Sequence, residues 1–146
     1  MNVRRVVTGI DGQGRSVVVS DGLINQAPRE DVWRTSPAEP LGNPNLPLAA
    51  AIDPPLGGTR WVVSEVQPGA DGPVHTTETV DYVMVLDGEL TLVLDEGSVN
   101  LRRGDCVVQC NTAHAWRNTG TVPATIAAVL VSLTHTTDDS GGRTTS

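Results

Sequence analysis

Two imidazoles and a choice of carboxylates suggest one chemical site in this chain: His75, then Glu78 and Asp81, and later His114. The sequence contains three histidines, and the third, His135, lies in a polar tail. Two histidines and one carboxylate are the minimal set that holds a catalytic transition metal with positions left open for substrate. A metal held in this way polarises a carbonyl or activates a water. A carboxylate that is not a ligand becomes the candidate acid or base. Residue types alone leave open whether Glu78 or Asp81 would be the ligand. Tyr82 and Gln109 are polar groups close by in sequence. Trp116 and Asn118 share the strand parity of His114, so an element that turns His114 inward turns them inward too. Trp116 would then form an aromatic wall for a planar or apolar ligand. Arg117 has the opposite parity and is expected at the surface.

The elements that would position these residues are strands. With no Phe and one Tyr in 146 residues, the core has to be filled by Val, Leu and Ile, and β-branched residues favour strands. Alternating or apolar runs recur at short intervals: Val3–Ile10, Ser16–Ser20, Asp31–Thr35, Thr59–Gln67, Asp81–Leu86, Glu89–Asp95, Val99–Arg102, Cys106–Gln109, Ala115–Asn118 and Ala124–Leu133. No segment has a sustained helical period, so an antiparallel sandwich or barrel is expected. Asp11-Gly12-Gln13-Gly14 suggests an opening hairpin, and Asp87-Gly88 reads as a two-residue hairpin turn. Pro37, Pro40, Pro44, Pro47, Pro54 and Pro55 mark residues 36–58 as an extended arm that packs over a site or a partner. The expected organisation is an N-terminal part over residues 1–58, a barrel core over 59–134 and a disordered polar tail over 135–146.

Composition excludes several functions. The formal net charge of −7 disfavours nucleic acid and anionic membranes as partners. All ten basic residues are Arg, so Schiff-base chemistry on lysine is excluded. The longest apolar stretch, Ala124–Leu133, is about half the length of a membrane helix. No apolar signal region precedes the first strand, and a soluble cytoplasmic protein is expected. Cys106 and Cys110 lie about 13 Å apart along one strand, too far to bridge. Cys106 is expected in the core. No phosphate loop, dinucleotide fingerprint or nucleophile elbow is present.

From Thr59 to Leu133 the chain resembles the cupin superfamily of small jelly-roll barrels. That family's first motif runs Gly, five residues, His-x-His, three or four residues, Glu, six residues, Gly. Here the positions fall on Gly69, His75, Thr77, Asp81 and Gly88, with Thr77 in place of the second histidine and Asp81 in place of the glutamate. The second motif is met by Gly104, His114 and Asn118, one residue short before the histidine and with Cys110 near the usual turn proline. The resemblance implies an all-β jelly-roll barrel, or double-stranded β-helix, with extra N-terminal strands. It further implies one divalent transition metal (Zn, Fe, Mn or Ni) on His75, Asp81 and His114, and a homodimer. Thr77, Gln109, Asn118 and Trp116 would line the pocket, and Glu78 or Tyr82 would move a proton. Small cupins with a second motif of this kind look like tailoring enzymes, which points to a metal-assisted lyase or isomerase on a small organic molecule. A non-haem Fe(II) dioxygenase and a metal-free binding module are the two alternatives, the second favoured by the Thr77 replacement.

Overall fold

The computed structural model describes residues 2–24, 29–48 and 52–133, so His135 and the expected polar tail lie outside the described residues. Among these, ten strands form and no helix: β1 (Val3–Ile10), β2 (Ser16–Ile24), β3 (Arg29–Thr35), β4 (Thr59–Val66), β5 (Thr79–Asp87), β6 (Glu89–Leu94), β7 (Ser98–Arg102), β8 (Cys106–Cys110), β9 (His114–Arg117) and β10 (Ala124–Ser132). The all-β expectation therefore holds. Strands β3-β4-β10-β5-β8 make one sheet and β7-β6-β9 another, while β1 and β2 form a separate hairpin. All pairings are antiparallel.

The two larger sheets share one apolar core, drawn from Val62, Val83, Val85, Leu90, Leu92 and Leu101 with Ala124, Ile126, Ala128 and Leu130. Register explains its shape. On the inner face of the five-stranded sheet, Leu130 sits between Arg60 and Asp81, and Ala128 sits between Val62 and Val83. The small side chains of the second row leave room beside the polar groups of the first.

The expected N-terminal part is divided between two roles. β3 is hydrogen-bonded to β4 and so completes the barrel sheet as an edge strand. The β1–β2 hairpin is tied to it by Arg5, which donates to the Val32 carbonyl at 3.2 Å and lies 5.8 Å over the Trp33 ring. Between β3 and β4 the described residues of the proline-rich segment form no strand.

Two expectations are corrected. Asp87-Gly88 does not close a hairpin, because β5 pairs with β10 and β8 whereas β6 pairs with β7 and β9. Gly88 is instead the corner at which the chain leaves one sheet for the other. Cys106 is exposed, as is Cys110, because β8 turns Val107 and Gln109 inward.

The corner makes a test of this topology. Gly88 has φ +76°, and a Cβ there would stand 2.7 Å from the Pro123 carbonyl oxygen and 2.9 Å from the Ala124 Cα. At Gly97, with φ +91°, a Cβ would meet nothing within 4 Å. Gly97→Ala should therefore cost only the left-handed backbone penalty of about 1–2 kcal/mol. Gly88→Ala should cost about 2–5 kcal/mol, since overpacking adds to that penalty. Denaturant titration of both variants checks this, and equal losses would contradict the corner.

Candidate active site

The segment 69–75 runs antiparallel to β9 and extends the smaller sheet. Gly72 donates to the Trp116 carbonyl at 3.2 Å, and Asn118 donates to the Ala70 carbonyl at 2.9 Å. At the end of this ladder His75 and His114 face each other and exchange two backbone hydrogen bonds, of 2.9 and 3.0 Å. Directly opposed residues put their side chains on the same face. The two imidazole centroids accordingly lie 4.4 Å apart, tilted by 56°.

Each ring is oriented by a carbonyl two residues back in the chain. His75 Nδ1 is 3.0 Å from the Pro73 oxygen, and His114 Nδ1 is 2.8 Å from the Thr112 oxygen. A carbonyl only accepts, so Nδ1 carries the proton in both rings and the Nε2 lone pairs are left uncommitted. This is the arrangement in which histidines ligate metals or take up protons.

Asp81 comes from β5, whose alternation buries Thr79, Asp81, Val83 and Val85 and exposes Tyr82 and Met84. Its Oδ1 accepts a 2.6 Å hydrogen bond from the Thr79 hydroxyl, which is 2.8 Å from that of Thr77. Burial pushes the Asp81 carboxyl above the ordinary aspartate value; the Thr79 hydroxyl and the charge of His114 oppose this, Asp53 adds to it, and His75 opposes it more weakly. The carboxyl is thus held closer to neutrality than an exposed aspartate, as acid–base groups in apolar sites are.

His75, His114, Asp81, Thr77 and Trp116 all line one cavity of about 390 Å³, a size suited to a small organic ligand. Trp116 meets His114 edge-on, with centroids 6.1 Å apart. Four expected site residues lie elsewhere. Tyr82 is 54% exposed on the outer face of β5, because its neighbour Asp81 takes the inner one. Glu78 is exposed and does not line the cavity. Gln109 is buried but donates to Thr112. Asn118 is 1% exposed and acts as a clamp: its Nδ2 donates to the Val66 and Val122 carbonyls, both at 2.9 Å, and its Oδ1 accepts from Gly120. Arg117 pairs with Asp71 at the surface, as its parity implies.

The cavity also holds groups that were not anticipated. Arg29, Arg60 and Glu65 line it as well. Arg60 was detectable in principle, since it alternates in step with Val62 and Ser64 on β4. Arg29 gave no such signal, being at the very start of its strand.

The fit to a metal is divided. The uncommitted Nε2 atoms of His75 and His114 suit one, and two adjacent imidazoles are a sound beginning for a site. The third ligand does not join them. Among the described residues no group of three or more His, Cys, Asp or Glu is placed to hold an ion, and Asp81 is directed by Thr79 instead.

The chain is similar in sequence to cupin-domain proteins. Residues 62–131 match the cupin domain family. The chain is 33% identical over 146 residues to the cupin-domain-containing oxidoreductase fogC of Aspergillus ruber, covering 88% of this chain and 72% of that one. It is 49% identical over 63 residues to phomopsin biosynthesis cluster protein C' of Diaporthe leptostromiformis, covering 42% of this chain. That match spans 33% of the relative's length. Among solved structures, a Cupin 2 conserved barrel domain protein from Salinispora arenicola superposes with a TM-score of 0.48 at 19% identity, over 60% of this chain and 71% of the other.

Asp81 offers a pH test in chelator-treated protein. A carboxyl whose folded pKa is raised stabilises the fold below its unfolded pKa of about 3.9 and loses that contribution as pH rises through the folded value. Asp81→Asn keeps an acceptor for Thr79 and removes the charge. The variant should therefore be more stable than the wild type at pH 7.5, with the advantage shrinking toward pH 4 in parallel thermal melts. A variant less stable at pH 7.5 than at pH 4, relative to wild type, would contradict the assignment.

Proposed function

Because the chain belongs to the cupin domain family, we propose that it is an enzyme transforming a small organic molecule in the barrel cavity by proton transfer, as a non-oxidative lyase or isomerase. The observation that carries this reading is a buried carboxyl opening onto the same cavity as two imidazoles with uncommitted Nε2 atoms. A substrate would lie on Val62, Val83 and Ala128 with Trp116 as a side wall. Asp81 Oδ2, left uncommitted while Oδ1 accepts from Thr79, is the atom that gives or takes the proton. The Thr77–Thr79 pair holds that carboxyl in one orientation, and the His75–His114 pair presents the second polar group of the cavity. A divalent metal would be held by the two Nε2 atoms, which would then serve as ligands and not as proton acceptors, and would supply polarisation of a substrate carbonyl. Asp81 takes the proton-carrying role expected of Glu78 or Tyr82, which lie outside the cavity.

A second reading rests on the relatives. Those from Aspergillus ruber, Neurospora crassa and Hypocrea virens are named cupin-domain-containing oxidoreductases. That favours oxidative chemistry on an iron bound at the same imidazoles, with Asp81 turning to complete a two-histidine, one-carboxylate set.

Screening small carbonyl compounds in deuterated buffer under an oxygen electrode separates the two. Proton-transfer chemistry predicts solvent deuterium in the substrate or product, loss of water or CO₂ in the lyase case, and no uptake of O₂. Asp81→Asn should slow turnover about 100-fold or more while leaving metal content unchanged. Wild-type protein should hold about one metal and the His75→Ala/His114→Ala double variant none. Oxygen consumed in step with turnover would overturn the non-oxidative reading in favour of the second.

A further inference from the structure

The cavity is charged at both ends. Asp81 stands on β5, and Arg60 stands at the matching position of β4 on the other side of Leu130. Two ladder steps separate them by about 10 Å. Leu130 lies between them, and the row below it, Val62, Ala128 and Val83, adds only apolar surface to the cavity.

Arg60 is 5% exposed, and its Nε donates to Asp31 Oδ1 at 2.5 Å while its Nη1 donates to the Ile52 carbonyl at 2.8 Å. Its Nη2 has no hydrogen-bond partner among the described residues. Asp31 is shared, since Arg34 also pairs with it. Arg29, at the cavity mouth, has no hydrogen bond or ion pair among the described residues, and Arg60 is its like-charged neighbour. Arg29, Arg34 and Arg60 against Asp31 and Glu65 amount to three positive charges and two negative, a local surplus of one. Glu65 borders this end and is the charge with which an incoming anion has to compete. In a chain of net charge −7 such a positive pole is a local feature. Planar guanidinium forks match carboxylates in charge and geometry.

We propose that the Arg29–Arg60 end of the cavity is an anion subsite that holds the carboxylate of an organic-acid substrate, while the reacting group lies against His75, His114 and Asp81. The substrate class is a carboxylic acid whose reacting group is separated from the carboxylate by an apolar spacer about the size of a ring. This assignment rests on reading the cavity as the active site. The clasp of Arg60 to Asp31 also fastens β3 to β4, so Arg29 is the better residue to alter.

Benzoate and its neutral isostere benzamide test the subsite, titrated calorimetrically into chelator-treated and zinc-loaded protein. Benzoate should bind about tenfold or more tightly than benzamide in both states, because a hydrogen-bonded charge is at stake. Arg29→Gln should remove most of that preference with benzamide affinity, thermal midpoint and metal content unchanged. Arg29→Lys should restore part of it, and Glu65→Gln should increase it. Equal affinities for the two probes, or no benzoate binding at millimolar concentration, would overturn the subsite. So would a preference that survives Arg29→Gln and vanishes in His75→Ala, because the carboxylate would then sit at the imidazoles. That last result would leave the proton-transfer reading of the cavity intact, whereas a failure of that reading appears in the oxygen and deuterium measurements.

Discussion

The pair of backbone hydrogen bonds exchanged by His75 and His114 is the constraint on which the rest of the site depends. These residues are far apart in sequence and neither lies next to the other's strand by chain order. Lateral pairing of 69–75 with β9 brings them into direct opposition, and opposition puts both rings on one face. The same ladder fixes Trp116 two residues further along, and it ends at Asn118, whose side chain clamps Val66 and Val122. Register here is therefore a functional quantity. A slip of β9 by one residue would send the His114 ring to the other face and set Ala115 in the cavity beside His75.

Much of this was legible because strands alternate. His114 and Trp116 share a parity, as do Thr77, Thr79 and Asp81, and the structure brings His75, Thr77, Asp81, His114 and Trp116 to one cavity. The same rule, applied to Tyr82, shows why it could not join them: it follows Asp81 directly and has to face away. Other features were not legible. Asp87-Gly88 carries the residues of a tight hairpin, but the same dipeptide serves a corner between sheets, and only non-local pairing decides between them. Asn118 and Gln109 have the right parity and polarity for a pocket, yet Gln109 is consumed by Thr112 and Asn118 by the Val66 and Val122 carbonyls. Arg29 reaches the cavity through the pairing of β3 with β4, which residue spacing alone does not reveal.

The electrostatics of the cavity follow from what the sheets bury. Asp81 is buried beside Leu130, and that burial outweighs the Thr79 hydrogen bond in setting its protonation. At the other end the guanidiniums share too few carboxylates to be neutralised. The two ends thus differ in sign and in the ease with which they change charge: the arginines stay cationic, and the carboxyl is tuned toward exchange. Thr77, where a histidine would otherwise extend the imidazole cluster, instead orders the hydroxyl relay behind Asp81. The substitution therefore exchanges a potential ligand for control over a carboxyl.

His75 and His114 form one adjacent pair with Nδ1 protonated and Nε2 uncommitted. Long-range proton–nitrogen correlation spectra of uniformly ¹⁵N-labelled, metal-free protein at neutral pH, combined with ring-to-ring nuclear Overhauser effects, read this directly. Both residues should show Nδ1–H tautomers, with a cross-relaxation signal between their rings. A protonated Nε2 on either ring, or no contact between the rings, would contradict it.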